Sequence, residues 1–235
     1  MRNALVTGVS RRRGIGFAIA ARLRGAGARV FTQGWSPHDE AFPWGGDDHE
    51  PDLETDFADA DAPARVVAAA RDALGPLDVL VVNHARSGDG SLGELTAEHI
   101  DAFVHENVRA ALLLVQEFAA QVEDDAGAVV LLTSGAHLAP MASEVAYGVS
   151  KGALAVATRT LAEALADRGI RVNCVNPGPT NTGYLDDVDP TRRMPFGRWG
   201  EPDDAARLVA WLCSDDGRWV TGQVIDSEGG FRRWS

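Results

Sequence analysis

The chain has 235 residues, of which 45% are hydrophobic, and its formal net charge is −12. This length and apolar content suffice for one large core, so we expect one domain rather than two small ones. The negative charge argues against nucleic acid or an acidic membrane as a partner, because both need basic patches. Two cysteines without metal-type or redox-type spacing, and apolar runs well short of the ~20 residues of a membrane span, predict a soluble cytoplasmic protein.

The first elements predict a strand, a glycine-rich turn and a helix. The apolar run 3–7 ends at Gly8, and apolar residues recur at helical spacing over 15–23. Gly8, Gly14 and Gly16 would let the backbone approach a pyrophosphate held at the N-terminus of the helix. Such a turn alone is weak evidence, but its place between a strand and an amphipathic helix indicates a dinucleotide site.

The second strand, predicted over 28–32, carries the evidence on which dinucleotide binds. Sites that prefer NAD(H) usually end this strand with a carboxylate that holds the ribose 2′-hydroxyl. Here Gly34 and Trp35 follow the strand, and no carboxylate occurs before Asp39. The run Arg11–Arg13 in the preceding loop offers guanidinium groups that suit a 2′-phosphate, although at least one of them could simply be solvated. We therefore predict NADP(H) as the preferred cofactor, with NAD(H) possible.

Residues 36–52 are rich in proline, glycine and acidic residues and show no periodicity, so they predict a solvated loop. The alternative is a metal site, for which the candidate ligands would be His38, Asp39, Asp47, Asp48 and His49. Their spacing matches no known metal motif. We predict no metal site in this protein.

The remaining runs predict an alternation of strands and helices. Strands are expected over 52–57, 77–82, 128–133, 170–175 and 223–226. Helices are expected over 60–74, 107–122, 146–166 and 202–213, and a further helix is expected to open at Thr96 with a hydroxyl cap. Six or seven alternating strands indicate an α/β fold with a doubly wound parallel sheet, helices on both faces and ligands at the carboxyl ends of the strands. We expect a cofactor half over about 1–130 and a catalytic and substrate half over about 131–235. Residues 179–198 lack periodicity and are predicted to form a mobile lid.

Three side chains indicate proton-transfer chemistry. Tyr147 and Lys151 are four residues apart in a predicted helix, so they project from one face. A nearby ammonium favours the phenolate and should lower the pKa of Tyr147, which makes the pair a candidate general acid and base. Ser134 ends a predicted buried strand, where its hydroxyl can polarise a carbonyl. The alternative, an ordinary Tyr/Lys surface pair, would be the better reading of this motif by itself.

With these motifs in order, the chain resembles the short-chain dehydrogenase/reductases over nearly its whole length. The resemblance rests on Thr7-Gly8 with Gly14-Ile15-Gly16, Asp56, Asn83-His84-Ala85, Asn107, Ser134, Tyr147 with Lys151, Asn176-Pro177-Gly178 with Thr182, Gly197 to Pro202, and Thr221-Gly222-Gln223. It departs from the family pattern in two places. Five residues instead of three separate Gly8 from Gly14, which reshapes the phosphate loop. The family's usual Asn-Asn-Ala-Gly is here Asn83-His84-Ala85-Arg86, which is expected to place a bulky cation beside the path of the cofactor. The segment 195–202 is most similar to 3-oxoacyl-acyl-carrier-protein reductases and related ketoreductases.

The resemblance implies a single Rossmann-type domain and a role for each matching residue. The implied catalytic residues are Asn107, Ser134, Tyr147 and Lys151. The implied cofactor contacts are Gly8, Ser10, Arg11, Arg12, Arg13, Gly14, Ile15, Gly16, Gly34, Trp35, Asp56, Phe57, Asn83, His84, Ala85, Tyr147, Lys151, Pro177, Gly178, Thr180 and Thr182. In the family, Tyr147 protonates the substrate oxygen, Ser134 holds the carbonyl, and Asn107 keeps a water that links Lys151 to solvent.

The implied activity is reduction of a ketone to a secondary alcohol, or the reverse, on a small-molecule or acyl-carrier-linked carbonyl substrate. A dehydrogenase of a small secondary alcohol, sugar or polyketide-type substrate is the alternative within the family. A non-catalytic dinucleotide-binding relative would be expected to lack Ser134, Tyr147 or Lys151, and a dehalogenase or dehydratase would lack the cofactor loop or Lys151. Apolar residues on several faces of the helices 107–122 and 146–166 predict a homotetramer or homodimer.

Overall fold

The computed structural model describes residues 2–42, 44–122 and 126–234. Its strands are β1 Asn3–Val6, β2 Arg29–Gly34, β3 Leu53–Glu54, β4 Val79–Val82, β5 Gly127–Leu132, β6 Ile170–Asn176 and β7 Val224–Asp226. Its α-helices are α1 Ile15–Gly25, α2 Ser36–Glu40, α3 Ala62–Leu74, α4 Ala97–Phe103, α5 Ala110–Gln121, α6 Val145–Leu165 and α7 Pro202–Cys213. A π-helical segment, Val104–Arg109, joins α4 to α5. None of the helices described has the length and apolar character needed to cross a bilayer.

The seven strands form one parallel sheet in the order β3-β2-β1-β4-β5-β6-β7, which confirms the predicted fold class. Both faces are covered, as a parallel sheet requires. On one face α1 and α7 pack through Ile19 and Leu212, and on the other α3, α5 and α6 pack through Val66, Phe118 and Leu154. Because the strands are buried on both faces, they appear in the sequence as continuous apolar runs rather than as alternating patterns.

The sheet places a crevice beside β1 and β4. These strands are neighbours, and the chain winds away from them in opposite directions to β2 and to β5. Connections then leave the carboxyl ends of β1 and β4 on opposite sides, and this is where α/β sheets of this kind bind ligands. Gly8 follows β1 and Asn83 follows β4, so both lie at this edge.

Residues 36–52 differ from the prediction. A short helix, α2, occupies Ser36–Glu40, and the Asp39 residue within it is only 8% exposed. The prediction of a solvated loop is wrong here because the Asp39 carboxylate accepts hydrogen bonds from Ser10 and Arg11, which replace the water it loses. The third strand is also shorter than predicted, since only Leu53–Glu54 pairs with β2. Pro43 lies outside the described residues.

The helices predicted to open at Thr96 and to cover 107–122 are joined in the structure. Thr96 caps α4, as predicted, and its hydroxyl accepts from the His99 N–H. The segments α4, Val104–Arg109 and α5 run on without a break, and Asn107 lies in the π-helical part, 1% exposed. Single π-helical turns within α-helices are rare and occur often at functional sites. The wider turn here brings the side chain of Asn107 to Ser150 in α6, so it ties two helices together.

Candidate active site

A cavity of about 830 Å³ runs along the carboxyl edge of the sheet. Most of the predicted site residues line it, namely Gly8, Ser10, Arg11, Gly14, Ile15, Trp35, Asp56, Phe57, Asn83, His84, Ala85, Ser134, Tyr147, Lys151, Pro177, Gly178, Thr180 and Thr182. Others are not among its lining residues, namely Arg12, Arg13, Gly16, Gly34 and Asn107. The cavity therefore joins the glycine-rich turn at one end to Tyr147 at the other, and its volume suits a ligand of cofactor size.

Two glycines form a cradle at the start of α1. Gly8 has a φ of 71°, and a Cβ there would lie 2.6 Å from Cα of His84. A Cβ on Gly16 would lie 2.4 Å from the Gly8 carbonyl oxygen and 2.6 Å from Nδ2 of Asn83. Side chains at either position would close the turn. Gly14, at the cap of α1, has no side chain to accept a hydrogen bond from the first turn, so the N-terminus of the helix is open beside the cavity.

Ser134, Tyr147 and Lys151 meet at the other end of the cavity. Ser134 follows β5, and Tyr147 and Lys151 occupy successive turns of α6. The hydroxyl of Thr133 donates to the backbone carbonyl of Lys151 over 2.7 Å, which fixes the end of β5 against α6. The side chains of Tyr147 and Ser134 lie close enough to interact, since Ser134 acts on the pKa of the phenol. A carbonyl oxygen placed between these two hydroxyls could be polarised by one and protonated by the other.

The pKa of Tyr147 is shifted in the direction opposite to the one predicted. Burial of the phenol raises its pKa above the ordinary value, Glu144 and Tyr184 raise it further, and the interaction with Ser134 lowers it. The prediction that Lys151 lowers this pKa is wrong for this structure, because burial of the phenol, and not the ammonium of Lys151, sets the direction of the shift. Burial also lowers the pKa of Lys151 to about 8. At neutral pH the phenol is therefore protonated, and Lys151 remains mostly charged.

Asn107 lies beneath the cavity. Its Oδ1 accepts from the backbone N–H of Arg86 over 2.6 Å, and its Nδ2 donates to the Arg86 carbonyl and to the Ser150 hydroxyl over 3.1 and 2.9 Å. Ser150 in turn donates to the backbone carbonyl of Tyr147 over 2.9 Å. The side chain of Asn107 therefore supports the helix that carries Tyr147 rather than facing the cavity.

His84 and Arg86 occupy the second of the two places where the chain departs from the family pattern. Burial lowers the pKa of His84 to about 3, and Lys151 lowers it as well. The neutral ring has one N–H, so Nε2 donates to the Glu106 carbonyl over 2.9 Å and Nδ1 accepts from Thr7 over 2.8 Å. Arg86 pairs with the Glu106 carboxylate over 2.7 Å. The cation expected beside the cofactor path is thus held by a neighbouring acid.

Each of the three loop arginines is engaged by an acidic residue that sequence reasoning did not connect with it. The pairs are Arg11 with Asp39 at 2.9 Å, Arg12 with Asp48, and Arg13 with Asp186 at 2.8 Å. Of these arginines only Arg11 lines the cavity, where its Nη1 also donates to the Thr182 carbonyl over 3.0 Å. The acidic segment 36–52 and the predicted lid therefore contact the glycine-rich loop, and of the three pairs only Arg11–Asp39 is largely buried.

Several cavity residues were missed by the sequence reasoning. They are Asp39, Trp44, Glu144, Tyr184, Glu228, Phe231, Arg233 and Trp234. Three of them, Asp39, Trp44 and Tyr184, lie in the segments that lack periodicity, and the last four follow the final strand. A cluster of aromatic residues within segments that otherwise look solvated was the one available signal, because such side chains normally need a surface to cover.

Comparison with known proteins agrees with this geometry. The family model described as enoyl-(acyl carrier protein) reductase matches residues 8–232. An uncharacterized oxidoreductase of Bacillus subtilis is 37% identical, with 98% of this chain and 96% of that protein covered. The crystal structure of a blue fluorescent protein from a metagenomic library in complex with NADPH is 33% identical, with a TM-score of 0.85 and 97% of both chains covered. A short-chain dehydrogenase from Burkholderia cenocepacia J2315 in complex with NADP is 35% identical, with a TM-score of 0.82 and the same coverage. The chain therefore belongs to the short-chain dehydrogenase/reductase family of oxidoreductases.

Proposed function

We propose that the protein is an NADP(H)-dependent reductase that converts a ketone to a secondary alcohol, or catalyses the reverse reaction. The observation that carries the proposal is that Ser134, Tyr147 and Lys151 line one cavity together with the glycine-rich turn. A hydroxyl pair of this kind suits a carbonyl oxygen, which needs a hydrogen-bond donor as negative charge develops and then a proton.

The cavity fits a dinucleotide. Gly8, Gly14 and Ile15 would hold its pyrophosphate, because the cradle admits only glycine at two positions and the N-terminus of α1 is open. Ser10 and Arg11 would border the 2′-phosphate, and Asp56 and Phe57 the adenine. Asn83, His84 and Ala85 would follow the adenosine side, and Pro177, Gly178, Thr180 and Thr182 the carboxamide. The relatives that bind NADPH and NADP support this choice of dinucleotide.

The side chains of this chain would then move one proton and hold one oxygen. When bound, the nicotinamide supplies the hydride to the carbonyl carbon. Ser134 donates a hydrogen bond to the carbonyl oxygen, and Tyr147 gives its proton to the oxygen as it becomes an alkoxide. Lys151 contributes a positive charge that stabilises the resulting phenolate. Because the pKa of Tyr147 is raised, the phenol retains its proton until the strongly basic alkoxide forms.

The substrate class remains part of the proposal. The similarity of residues 195–202 to ketoreductases of acyl-carrier substrates favours a 3-oxoacyl thioester. The family model is named for enoyl reduction, so a 2-enoyl thioester is the competing substrate. We also propose a homotetramer, which the exposed valines of α6 support, and a cytoplasmic location, which the buried free thiols of Cys174 and Cys213 support.

The test measures oxidation of NADPH and NADH with a 3-oxoacyl thioester, small ketones and a 2-enoyl thioester. We expect the ketones to be reduced with NADPH, and we expect Tyr147→Phe to lower kcat by at least about 100-fold, because general acids typically contribute that much. NADPH binding should remain measurable in this variant. Tyr184→Phe makes the same change at the other tyrosine and should keep most of the turnover. Full turnover by Tyr147→Phe, or reduction of the enoyl thioester alone, would refute the assignment.

A further inference from the structure

The segment after β7 turns back and forms part of the cavity wall. Glu228, Phe231 and Arg233 line the cavity together with Ser134. The guanidinium of Arg233 donates to the carboxylate of Glu228, and these side chains are only 16% and 9% exposed. Phe231 lies against the same guanidinium, 5.2 Å from its carbon to the ring centroid. Charged side chains are rarely buried to this degree unless they are paired, so the pair belongs to the interior of the site.

The pair contacts the turns on both sides of the cavity. A Cβ on Gly135 would lie 2.6 Å from Nη2 of Arg233, so the guanidinium rests on the backbone directly after Ser134. On the opposite side, Oε1 of Glu228 accepts from Nδ2 of Asn176 over 2.7 Å. A Cβ on Gly178 would lie 2.7 Å from Cα of Glu228. Glu228 and Arg233, in the segment after β7, therefore pack between the turn at Ser134 and the turn Asn176-Pro177-Gly178.

A second path of polar contacts joins the same two turns. His137 donates from Nδ1 to the Ser134 carbonyl over 3.1 Å, and its Nε2 lies 3.1 Å from Oδ1 of Asp226. That oxygen also accepts from Nδ2 of Asn176 over 2.9 Å. Together with Glu228 and Arg233, these contacts close a ring that runs from Ser134 to Asn176 by two routes. A closed ring restricts the separation of the two turns more than either route does by itself.

We propose that Arg233 and Glu228 are positioning residues, which hold Ser134 and the Asn176–Gly178 turn at the separation that the reaction requires. The pair acts through the backbone of these turns. Ser134 would otherwise be held mainly by its place after β5, since its hydroxyl contacts the Ala136 N–H at 3.4 Å and Met141 Sδ at 3.9 Å, and both contacts are long for a hydrogen bond. The kinetic part of this inference rests on the proposed reductase function.

The test compares Arg233→Ala, Arg233→Lys and the control Arg22→Ala. Arg22 pairs with Asp203 between α1 and α7, and neither residue lines the cavity, so the control also removes a paired arginine. In Arg233→Ala we expect kcat for the ketone to fall by about 10- to 100-fold, as misplacement of a reacting group by ~1 Å does. The Kd for NADPH, measured by fluorescence, should stay within about threefold, because affinity for the whole cofactor depends on contacts elsewhere. Arg233→Lys should recover part of the lost turnover, and added ethylguanidine should restore part of it in Arg233→Ala.

Hydrogen exchange provides a readout that does not depend on activity. We expect faster exchange in peptides covering residues 133–138 and 176–180 in Arg233→Ala and unchanged exchange there in Arg22→Ala. If the wild-type chain reduced none of the substrates, the proposed function would fail, and exchange alone would decide the positioning role. Unchanged exchange in Arg233→Ala would overturn the inference. A loss of turnover that matches a loss of cofactor binding would also overturn it, since the segment after β7 would then stabilise the whole site rather than position Ser134.

Discussion

The Arg11–Asp39 ion pair lets us predict how one substitution, Asp39→Asn, changes the preference between NADPH and NADH. Asp39 accepts hydrogen bonds from the Ser10 hydroxyl, from Nε of Arg11 at 2.9 Å and from Nε1 of Trp44 at 3.0 Å. Asp39→Asn retains an acceptor for Arg11 and Trp44 and gives Ser10 a donor, so the substitution removes charge with little change in shape. Arg11 would then face the cavity without a counter-ion, and a 2′-phosphate could take that place.

The size of the effect follows from these contacts. A hydrogen bond to a charged group contributes about 1.5–3 kcal/mol, and a tenfold change in affinity corresponds to about 1.4 kcal/mol. We therefore expect Asp39→Asn to raise the ratio of NADH Kd to NADPH Kd by about tenfold or somewhat more. The free chain should become less stable at the same time, because both side chains of the pair are 11% exposed and the substitution leaves a largely buried arginine unpaired.

Fluorescence titration with both cofactors and thermal unfolding with and without NADPH measure these two effects. Asp48→Asn is the matched control, because it makes the same change beside Arg12, outside the cavity wall, where the side chains of the pair are 51% and 85% exposed. It should leave the Kd ratio unchanged. The reasoning fails if Asp39→Asn does not alter the ratio, or if Asp48→Asn alters it equally.

Three further predictions concern other parts of the molecule. Since burial lowers the pKa of Lys151 to about 8, kcat/KM for reduction should fall as the pH rises through that value. In Lys151→Arg, kcat/KM should stay level to higher pH, because a guanidinium keeps its charge there. Equal falls in the two pH profiles would contradict this. Gly16→Ala should abolish NADPH binding and lower the Tm, because the new Cβ would lie 2.4 Å from the Gly8 carbonyl oxygen. At the control position, a Cβ on Gly25 would have no atom within 4 Å, so Gly25→Ala should raise the free energy of unfolding by about 0.5–1 kcal/mol. Light scattering should show a tetramer. Val156→Asp should dissociate it, because Val149 and Val156 are 67% and 77% exposed on α6 and offer an apolar surface for a subunit contact. A wild-type monomer at micromolar concentrations would count against this prediction.

The sheet and most of its helices could be predicted from the sequence because their signals are local. Each central strand is an apolar run bounded by turn residues, and spacing along the chain places Tyr147 and Lys151 on the same side of one helix. The glycine-rich turn also carries its own signal, since Gly8 and Gly16 are required by backbone contacts within the first two elements and the strand beside them. These parts needed no knowledge of which distant residues meet.

The walls of the cavity could not be predicted because their contacts join distant parts of the chain. Arg11 meets Asp39 across 28 positions, and Arg13 meets Asp186 across 173. An acidic residue in an aperiodic segment shows no sign in the sequence that it will be buried against an arginine. The pKa of Tyr147 could not be predicted for a related reason. Its direction depends on how fully the phenol is desolvated, and the spacing of a lysine does not reveal this.

The neutral histidine at the centre of the site makes the fold sensitive to acid. The pKa of His84 is about 3 in the folded protein, whereas the ordinary pKa of a histidine is 6.5. Between these two pH values the unfolded chain therefore binds a proton at His84 and the folded chain does not. Stability is therefore lost as pH falls from about 6.5 towards 3, by about 1.4 kcal/mol for each pH unit. At pH 5 this single ring should lower the free energy of unfolding by about 2 kcal/mol relative to neutral pH, which urea unfolding at the two pH values would detect. Above pH 6.5 the ring does not titrate, so a pH dependence of activity between 7 and 9 reports on groups other than His84.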